Sequence, residues 1–320
     1  MLDKAPEISV VIPTLRRPRL LRRALDSVLV QTHPAFEVIV VVDGPDEETV
    51  AMLRTIPDPR LRVLVNPRSL TAAGARTRGV AEAKGAWIAF LDDDDAWLPE
   101  KLERQIALAR GQGDVLVTAL SRVITPLATY TWPTEMFDGM RPLGDYLFDR
   151  RSTFAGGSFM QTSSYLLPRA LYQRVPFRTD SPHDDWDFLL RLAAEPGVRV
   201  LTVPEILVEV YFEEQRPSLS HAGRWAASLA WIEAVRPLLS RRAYAGFCLG
   251  VVAPRAAAEG AYAAAAPLLL RALRHGSPRP LHLATFLAFW LVPQGWRRRL
   301  RAAFASRPAL PAGPQALQPK

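Results

Sequence analysis

Cysteine, secretion signals and long apolar segments are scarce or missing in this 320-residue sequence. The single cysteine, Cys248, excludes an internal disulfide framework and a cysteine-based zinc site, and it favours a reducing compartment such as the cytoplasm. Asp3 and Glu7 lie directly ahead of a strand-like segment, so we expect no cleaved secretion signal. The longest apolar run, residues 281–293, is shorter than the ~20 residues that a membrane-spanning helix needs, so we expect none.

Acidic residues are also scarce in the C-terminal third of the sequence. Residues 215–320 contain 15 Lys or Arg and 2 Asp or Glu, whereas the whole chain has a formal charge of +8. The first 214 residues therefore have a net charge of −5. An acidic N-terminal part and a basic C-terminal part predict that the C-terminal part has an anionic partner.

Two tryptophans and four arginines stand close together in that basic C-terminal part. Trp290 and Trp296 are followed by Arg297, Arg298, Arg299 and Arg301. This mixture is typical of a segment on an anionic bilayer, where each basic residue contributes about 1 kcal/mol to the free energy of membrane binding. We therefore predict peripheral attachment at the inner face of a membrane. The alternative is a helical bundle with a solvated arginine face, and we expect no nucleic-acid partner because no such module is recognisable.

Short apolar strands alternate with helical patterns in the front of the chain. The strands are predicted at 8–12, 36–42, 61–65 and 86–91, and the helices at 20–31, 46–53 and 72–84. This alternation predicts an α/β fold, a Rossmann-like and mostly parallel sheet flanked by helices. Further strands are expected at 114–123, 161–167, 198–203 and 206–212, and a helix at 185–194.

Composition divides the chain into three parts. A catalytic domain is predicted for residues 1–215, and the Ala, Leu and Arg-rich pattern of 216–306 predicts a helical region. The Pro, Ala and Gln-rich tail 307–320 is typical of disorder.

Four consecutive aspartates, Asp92 to Asp95, follow the fourth predicted strand. Ligands of an open parallel sheet bind at the carboxyl ends of its strands, and adjacent carboxylates repel one another unless a cation is present. If strand geometry continues, Asp92 and Asp94 point to one side and Asp93 to the other. We therefore predict a Mg²⁺ or Mn²⁺ site on Asp92 and Asp94. A solvated turn is the alternative, but the apolar strand before the run and the AWLP segment after it disfavour that reading.

Five sequence blocks, taken together, resemble the family 2 glycosyltransferases with the GT-A fold. They are ISVVIPT at 8–14, VVVDG at 40–44, GARTRG at 74–79, AFLDDDDAWLPEKL at 89–102 and HDDWDFLLRL at 183–192. The resemblance implies a nucleotide-diphospho-sugar donor, with UDP-sugars favoured over GDP- or dTDP-sugars, and a metal-binding DXD motif at Asp92 and Asp94. It also implies an acceptor hydroxyl on a saccharide, a lipid-linked saccharide or a natural product.

The resemblance also implies roles on the donor side. Asp43 would bind the base, the backbone of Pro13 and Thr14 would border the nucleotide, and Asp93 would lie near the ribose or the donor sugar. Because four aspartates run together, the motif fits in two registers. Arg76 is expected to meet the nucleotide, with a solvated helix arginine as the alternative.

The later acidic motif supplies the expected catalytic groups. Asp185 matches the family's general base, and a single base with direct displacement predicts inversion at the anomeric carbon; the residue-level alternative is an ordinary helix N-cap. Asp184 would position the donor or acceptor. His221 follows the last strand, where relatives often close a loop over the diphosphate, and is a further metal candidate; a surface histidine is its alternative. Trp186 would either stack on a sugar or pack in the core.

Two other functions compete with glycosyl transfer. A nucleotidyltransferase can share the sheet and the metal carboxylates, but it normally has a glycine-rich loop after the first strand, and PTLRRP at 13–18 has no glycine. A non-catalytic scaffold of the same fold is disfavoured because all the acidic candidates are present.

Overall fold

The computed structural model describes residues 5–151, 157–212 and 225–291, and within these ranges the chain forms one nine-stranded sheet, flanking helices and a helical region. The strands are β1 (Ile8–Thr14), β2 (Phe36–Val42), β3 (Leu61–Val65), β4 (Trp87–Phe90), β5 (Asp95–Trp97), β6 (Val115–Ile124), β7 (Thr129–Trp132), β8 (Leu166–Pro168) and β9 (Arg199–Tyr211). The helices around the sheet are α1 (Pro18–Leu29), α2 (Glu47–Arg54), α3 (Thr71–Ala81), α4 (Lys101–Ala109), α5 (Leu143–Phe148), α6 (Arg169–Arg174) and α7 (Asp184–Ala194). The helical region contains α8 (Trp225–Ala234), α9 (Arg241–Phe247), α10 (Ala253–Ala258), α11 (Ala265–His275) and α12 (Pro280–Leu291).

The sheet is parallel in its first half and mixed in its second. Its order is β3-β2-β1-β4-β8-β6-β9-β5, with β7 beside β6. β3, β2, β1 and β4 are parallel, so that Val10 pairs with Val38 on one side and with Ala89 on the other. β8 is antiparallel to β4 and β6, whereas β6 and β9 are parallel. The first four strands therefore have the arrangement that the strand–helix alternation predicts.

The acidic run crosses from the middle of the sheet to its edge. β4 and β5 are separated by three other strands, which corresponds to about 19 Å in a flat sheet. The Asp95 N–H donates to the Asp92 carbonyl (3.1 Å). Because this hydrogen bond closes a turn, the segment between β4 and β5 spans much less than the distance between the two strands in a flat sheet. The sheet must therefore curl until β5 lies near β4, with the acidic run at the carboxyl end of β4.

Apolar side chains pack on both faces of the sheet. One core joins β-strand residues to α1 and α4, and the other joins them to α3, α6 and α7. Gly79 lets α3 approach closely, because a Cβ there would lie 2.4 Å from Val11 Cγ1 of β1. α3 is thereby held against the strand ends where the site lies.

Two predicted strand assignments are wrong in detail. Residues 161–167 are not one strand: a 3-10 turn at Thr162–Ser164 precedes the short β8, and the Ser164 hydroxyl donates to the Gln161 carbonyl (2.7 Å). Residues 198–203 and 206–212 form one strand, β9, with an irregularity where Pro204 lacks an N–H for the ladder.

The helical region shares a core with helices that flank the sheet. Phe148 and Leu190 lie in the same buried cluster as residues of α8, α9, α11 and α12, and Cys248 is buried there. None of the helices in the described ranges is both long and apolar enough to cross a bilayer. Trp290 packs on Phe286, with ring centroids 5.9 Å apart. The four arginines after it, the boundary at 215 and the tail 307–320 lie outside the described residues, so those expectations stay predictions.

Candidate active site

The acidic run forms a compact cluster at the carboxyl end of β4. Asp92, Asp94 and Asp95 each have a carboxylate oxygen within 4.8 Å of those of the other two. The Ser163 hydroxyl donates to Asp95 (2.6 Å) and lies 3.1 Å from the Asp92 N–H, which donates to it. Negative charges this close favour a cation between them.

Asp93 faces the end of β1 instead. The Thr14 hydroxyl donates to it (2.8 Å), and the Arg17 guanidinium lies 3.3 Å from Asp93 and 3.4 Å from Asp94. Burial is the main cause that raises the pKa of Asp93 to about 6, and the neighbouring carboxylates add to it. Pro13 precedes Thr14 in β1, so the acidic run and the end of β1 form one surface.

Asp43 lies at the end of β2 and is buried. Its carboxylate accepts hydrogen bonds from Asn66 Nδ2 (2.7 Å), Ser69 Oγ (2.7 Å) and the Leu70 N–H (2.8 Å). Its own N–H donates to the Thr14 carbonyl (2.8 Å). These bonds fix the orientation of the carboxylate beside the end of β1.

Arg76 of α3 connects the two acidic motifs. It donates to Asp92 (2.5 Å) and to Asp184 (3.2 Å), and its guanidinium lies 5.2 Å from the centre of the Phe177 ring. The side chain is buried, and the charges of the two aspartates outweigh that burial and raise its pKa. A solvated helix arginine is therefore the wrong reading of Arg76. Its Nε has no hydrogen-bond partner among the described residues.

Asp184 and Asp185 occupy the first turn of α7. The helix begins at Asp184, with His183 as its N-cap, so the N-cap reading of Asp185 is wrong by two positions. Asp185 accepts a hydrogen bond from the Trp186 N–H (2.8 Å). Burial and the negative charge of Asp184 raise the pKa of Asp185 to about 6, while Arg76 opposes the rise.

Two sequence candidates remain, His221 and Trp186. His221 lies outside the described residues. Trp186 packs against Phe148 and Phe247, with ring centroids 5.3 and 5.7 Å apart, which is the core-packing alternative.

Several groups that sequence reasoning missed complete the site. They are Arg17, Asn66, Ser69, Gln161 and Ser163, and each contacts one of the candidate carboxylates. Asn66 follows directly after β3, and Arg17 lies three positions after the end of β1, so a systematic search of strand ends would find both. Gln161 and Ser163 lie in a segment whose local pattern predicts a strand, and no local signal indicates their role.

The family model described as glycosyl transferase family 2 matches residues 9–175, which is more than half of the chain. The chain belongs to glycosyl transferase family 2. The matched residues run from β1 to α6 and contain the acidic run, whereas Asp184 and Asp185 lie beyond them.

Curated relatives of this family 2 member include proteins named for polysaccharide biosynthesis. It is 38% identical over 112 residues to the succinoglycan biosynthesis protein ExoO of Rhizobium meliloti (strain 1021), covering 35% of this chain and 32% of ExoO. It is 28% identical over 251 residues to the amylovoran biosynthesis glycosyltransferase AmsB of Erwinia amylovora, covering 73% of this chain and 79% of AmsB. The chain thus spans about a third of ExoO and most of AmsB.

Solved structures resemble this family 2 member along most of its length. Residues 1–349 of TarS from S. aureus, in complex with UDP-GlcNAc, superpose with a TM-score of 0.59 at 15% identity, covering 92% of both chains. The mannosyltransferase PcManGT from Pyrobaculum calidifontis, in complex with GDP-Man and Mn²⁺, gives 0.56 at 21% identity, covering 95% of this chain and 86% of PcManGT. The predicted GT-A fold with a C-terminal helical region is confirmed.

Proposed function

We propose that the chain is an inverting, metal-dependent glycosyltransferase that moves a sugar from a nucleotide-diphospho-sugar to an acceptor hydroxyl. The observation that carries the proposal is the link through Arg76, which hydrogen-bonds both Asp92 of the acidic run and Asp184 beside Asp185. A cluster suited to a cation and a carboxylate suited to accept a proton are thereby held together. Direct displacement needs both groups at one centre.

A divalent cation fits the cluster of Asp92, Asp94 and Asp95. Carboxylate oxygens are the ligands that Mg²⁺ and Mn²⁺ prefer, and three of them lie within 4.8 Å of one another. We propose Asp92 and Asp94 as the DXD ligands and add Asp95 from the geometry. When bound, the ion would supply Lewis-acid stabilisation of the diphosphate leaving group.

The donor would lie along the ends of β1 and β2. We propose that Asp43 binds the base, that Pro13 and Thr14 border the nucleotide, and that Asp93 binds the ribose or the sugar. The hydroxyl of Thr14 already donates to Asp93 (2.8 Å), which supports a continuous polar surface here. Arg76 and the additional Arg17 would balance the charge of the diphosphate.

Asp185 would act as the general base. Its carboxylate would take the proton of the acceptor hydroxyl while the oxygen of that hydroxyl bonds to the anomeric carbon and the sugar–phosphate bond breaks. Asp184 would position the reactants and is itself held by Arg76 (3.2 Å). Because attack comes from the side opposite the leaving group, the configuration at the anomeric carbon inverts.

The names of the relatives support the classes of donor and acceptor. TarS is described with UDP-GlcNAc and PcManGT with GDP-Man and Mn²⁺, which supports a nucleotide sugar and a metal. ExoO and AmsB are named for polysaccharide biosynthesis, which supports a saccharide acceptor, free or lipid-linked. Family membership favours this function over a nucleotidyltransferase or a scaffold.

A donor screen tests the proposal. UDP-, GDP- and dTDP-sugars are added with and without Mn²⁺, and the melting temperature of the full chain is measured. We expect one nucleotide class to raise it by about 5 °C at roughly 100-fold excess over Kd, and only with metal. With that donor and a panel of saccharide acceptors, ¹H NMR of the product should show the inverted anomer.

Matched variants identify the cation site. Asp92→Asn combined with Asp94→Asn should abolish the metal-dependent shift, whereas Asp26→Asn removes an exposed carboxylate of α1 and should leave it unchanged. A donor shift of equal size without metal, or with the double variant, would reject the metal assignment. A retained anomeric configuration would reject direct displacement.

A further inference from the structure

Helix α10 of the helical region brings an arginine to the residue that precedes the two α7 carboxylates. Arg255 Nη1 donates to Ser228 Oγ (2.6 Å) and lies 3.1 Å from His183 Nε2, and that nitrogen lies 3.0 Å from Ser228 Oγ. Since arginine only donates, His183 Nε2 must accept, and the ring is neutral with its proton on Nδ1. Burial and the charge of Arg255 lower the pKa of His183 to about 3, in agreement with this.

His183 fixes the start of α7. It is the N-cap residue, and its carbonyl accepts a hydrogen bond from the Asp187 N–H (2.8 Å). Its ring packs between Trp186 and Trp231, each with a centroid distance of 4.9 Å, and against Phe247 at 5.5 Å. Any displacement of this ring therefore moves the first turn of α7, which carries Asp184 and Asp185.

A π-helical turn sets the direction of Arg255. The π turn Cys248–Val252 joins α9 to α10 without a break in the helix. An additional residue in one turn rotates the following side chains by about 100° relative to an uninterrupted α-helix. This rotation determines the face of α10 from which Arg255 reaches α8 and α7.

Charged groups from three elements interact electrostatically with Asp185. Asp184 beside it is negative, whereas Arg76 of α3 and Arg255 of α10 are positive, and the uncharged phenol of Tyr165 also interacts with it. Two cations from different parts of the chain therefore oppose the effects of burial and of Asp184. Arg76 is hydrogen-bonded to Asp92 and Asp184, and Arg255 is a cation that comes from the helical region.

We propose that Arg255 is a positioning residue for the transfer: through Ser228 and His183 it holds the first turn of α7, and it places a positive charge beside the turn that carries Asp184 and Asp185. The inference deepens the proposed function and rests on Asp185 as the base. It gives the helical region a part in the reaction that neither the family match, which ends at residue 175, nor the sequence motifs assign.

The test compares Arg255→Gln, which removes the charge, with Arg255→Lys, which keeps it, in the full chain. Arg242→Gln is the matched control, since Arg242 is an exposed arginine of α9. The carboxyl titration of Asp185 is followed by ¹³C NMR on [¹³C]aspartate-labelled protein, with the signal identified by its loss in Asp185→Asn. The pH profile, kcat and donor KM of transfer are measured beside it.

Arg255→Gln should raise the titration midpoint of Asp185, and with it the acid limb of kcat/KM, by about 0.5 to 1 pH unit. It should lower kcat about tenfold while donor KM changes less than about twofold. Arg255→Lys should restore the midpoint, and Arg242→Gln should match the wild type. Identical midpoints in the wild type and Arg255→Gln, or equal shifts in Arg255→Gln and Arg255→Lys, overturn the inference. Absence of transfer by the wild type would instead refute the proposed function, and the carboxyl titration still decides whether Arg255 acts on Asp185.

Discussion

Asp149 on one side, and Asp93 and Asp185 on the other, are carboxylates of the described chain that lie in opposite surroundings. Where the sheet meets the helical region, the Arg279 guanidinium donates two hydrogen bonds to Asp149 (2.6 and 2.7 Å). Burial raises the pKa of Asp149, but the hydrogen bonds and charge of Arg279 outweigh it, and the pKa is lowered. We call residues Asp92 to Asp95 together with Asp184 and Asp185 the acidic edge. There, burial and neighbouring carboxylates raise the pKa of Asp93 and of Asp185 to about 6.

The difference distinguishes a carboxylate with a structural pairing from the carboxylates that we propose to be functional. Asp149 and Arg279 stand 130 positions apart in sequence, and their pairing connects α5 to the start of α12. A fully paired buried charge stabilises the fold only while both partners are present. Carboxylates whose negative charge is incompletely balanced favour binding a proton or a cation, which is what a catalytic centre needs.

The largest expected effect is the loss of turnover in Asp185→Asn. An amide cannot take the proton of the acceptor, so kcat should fall about 10³-fold while the donor-induced thermal shift remains. Because the folded-state pKa of Asp185 is raised to about 6, the carboxylate is ionised at pH 7 at a cost in stability, and its removal should raise the free energy of unfolding by about 1 kcal/mol. Kinetics of nucleoside diphosphate release and urea unfolding measure the two effects. Asp180→Asn, at an exposed position, is the control, and retained turnover in Asp185→Asn would remove it as the base.

The same substitution at Asp149 should have the reverse outcome. Asp149→Asn leaves the Arg279 guanidinium without its charged partner and should lower the free energy of unfolding by about 3 kcal/mol. The activity per folded molecule should stay unchanged, because Asp149 lies at the junction between α5 and α12 and not at the acidic edge. Asp26→Asn breaks an exposed ion pair with Arg22 and should cost less than about 0.5 kcal/mol. If Asp149→Asn and Asp185→Asn lowered the free energy of unfolding by similar amounts, the distinction between the two regions would be wrong.

A smaller effect on stability is expected where α9 packs closely against the backbone at the end of α5. A Cβ on Gly246 of α9 would lie 2.1 Å from the Phe148 carbonyl oxygen, so α9 and the end of α5 would have to separate. Gly246→Ala should therefore lower the free energy of unfolding by about 2 kcal/mol. Gly250, whose Cβ would meet nothing within 4 Å, is the control, and Gly250→Ala should change stability by less than about 1 kcal/mol. Equal stability of the two variants would show that α9 can shift without cost.

The strands of the sheet differ in how far sequence predicts them. β2 and β3 were predicted with their observed bounds, because buried parallel strands are continuous apolar runs between turn residues. β5 was missed, because Asp95–Trp97 is short and pairs with β9, which lies more than 100 positions away. A pattern within a window reports local periodicity, whereas strand pairing across the sheet depends on the whole fold.

In the site, sequence indicated the acidic groups but not the groups that balance them. Asp92, Asp94 and Asp185 stand out as carboxylates in recognisable blocks. Their cations and donors come from other elements, as with Arg255, which stands 72 positions from His183. The same reason hides the pairing of Asp149, since neither partner has a local signal.

The smallest expected effect is the pH dependence of transfer, which tests whether the acidic edge is incompletely balanced. Asp185 accepts a proton only when ionised, and its pKa is raised to about 6, so kcat/KM should fall about tenfold per unit below pH 6 and level off above it. Asp184→Asn removes the neighbouring negative charge, which lowers the pKa of Asp185 and should move the acid limb to lower pH, opposite to the shift expected for Arg255→Gln. The measurement uses saturating metal, so that protonation of the proposed metal ligands does not determine the acid limb of kcat/KM. If the acid limb of kcat/KM lay near pH 4, or if Asp184→Asn did not move it, the negative charge of Asp185 would be as well balanced by its surroundings as that of Asp149.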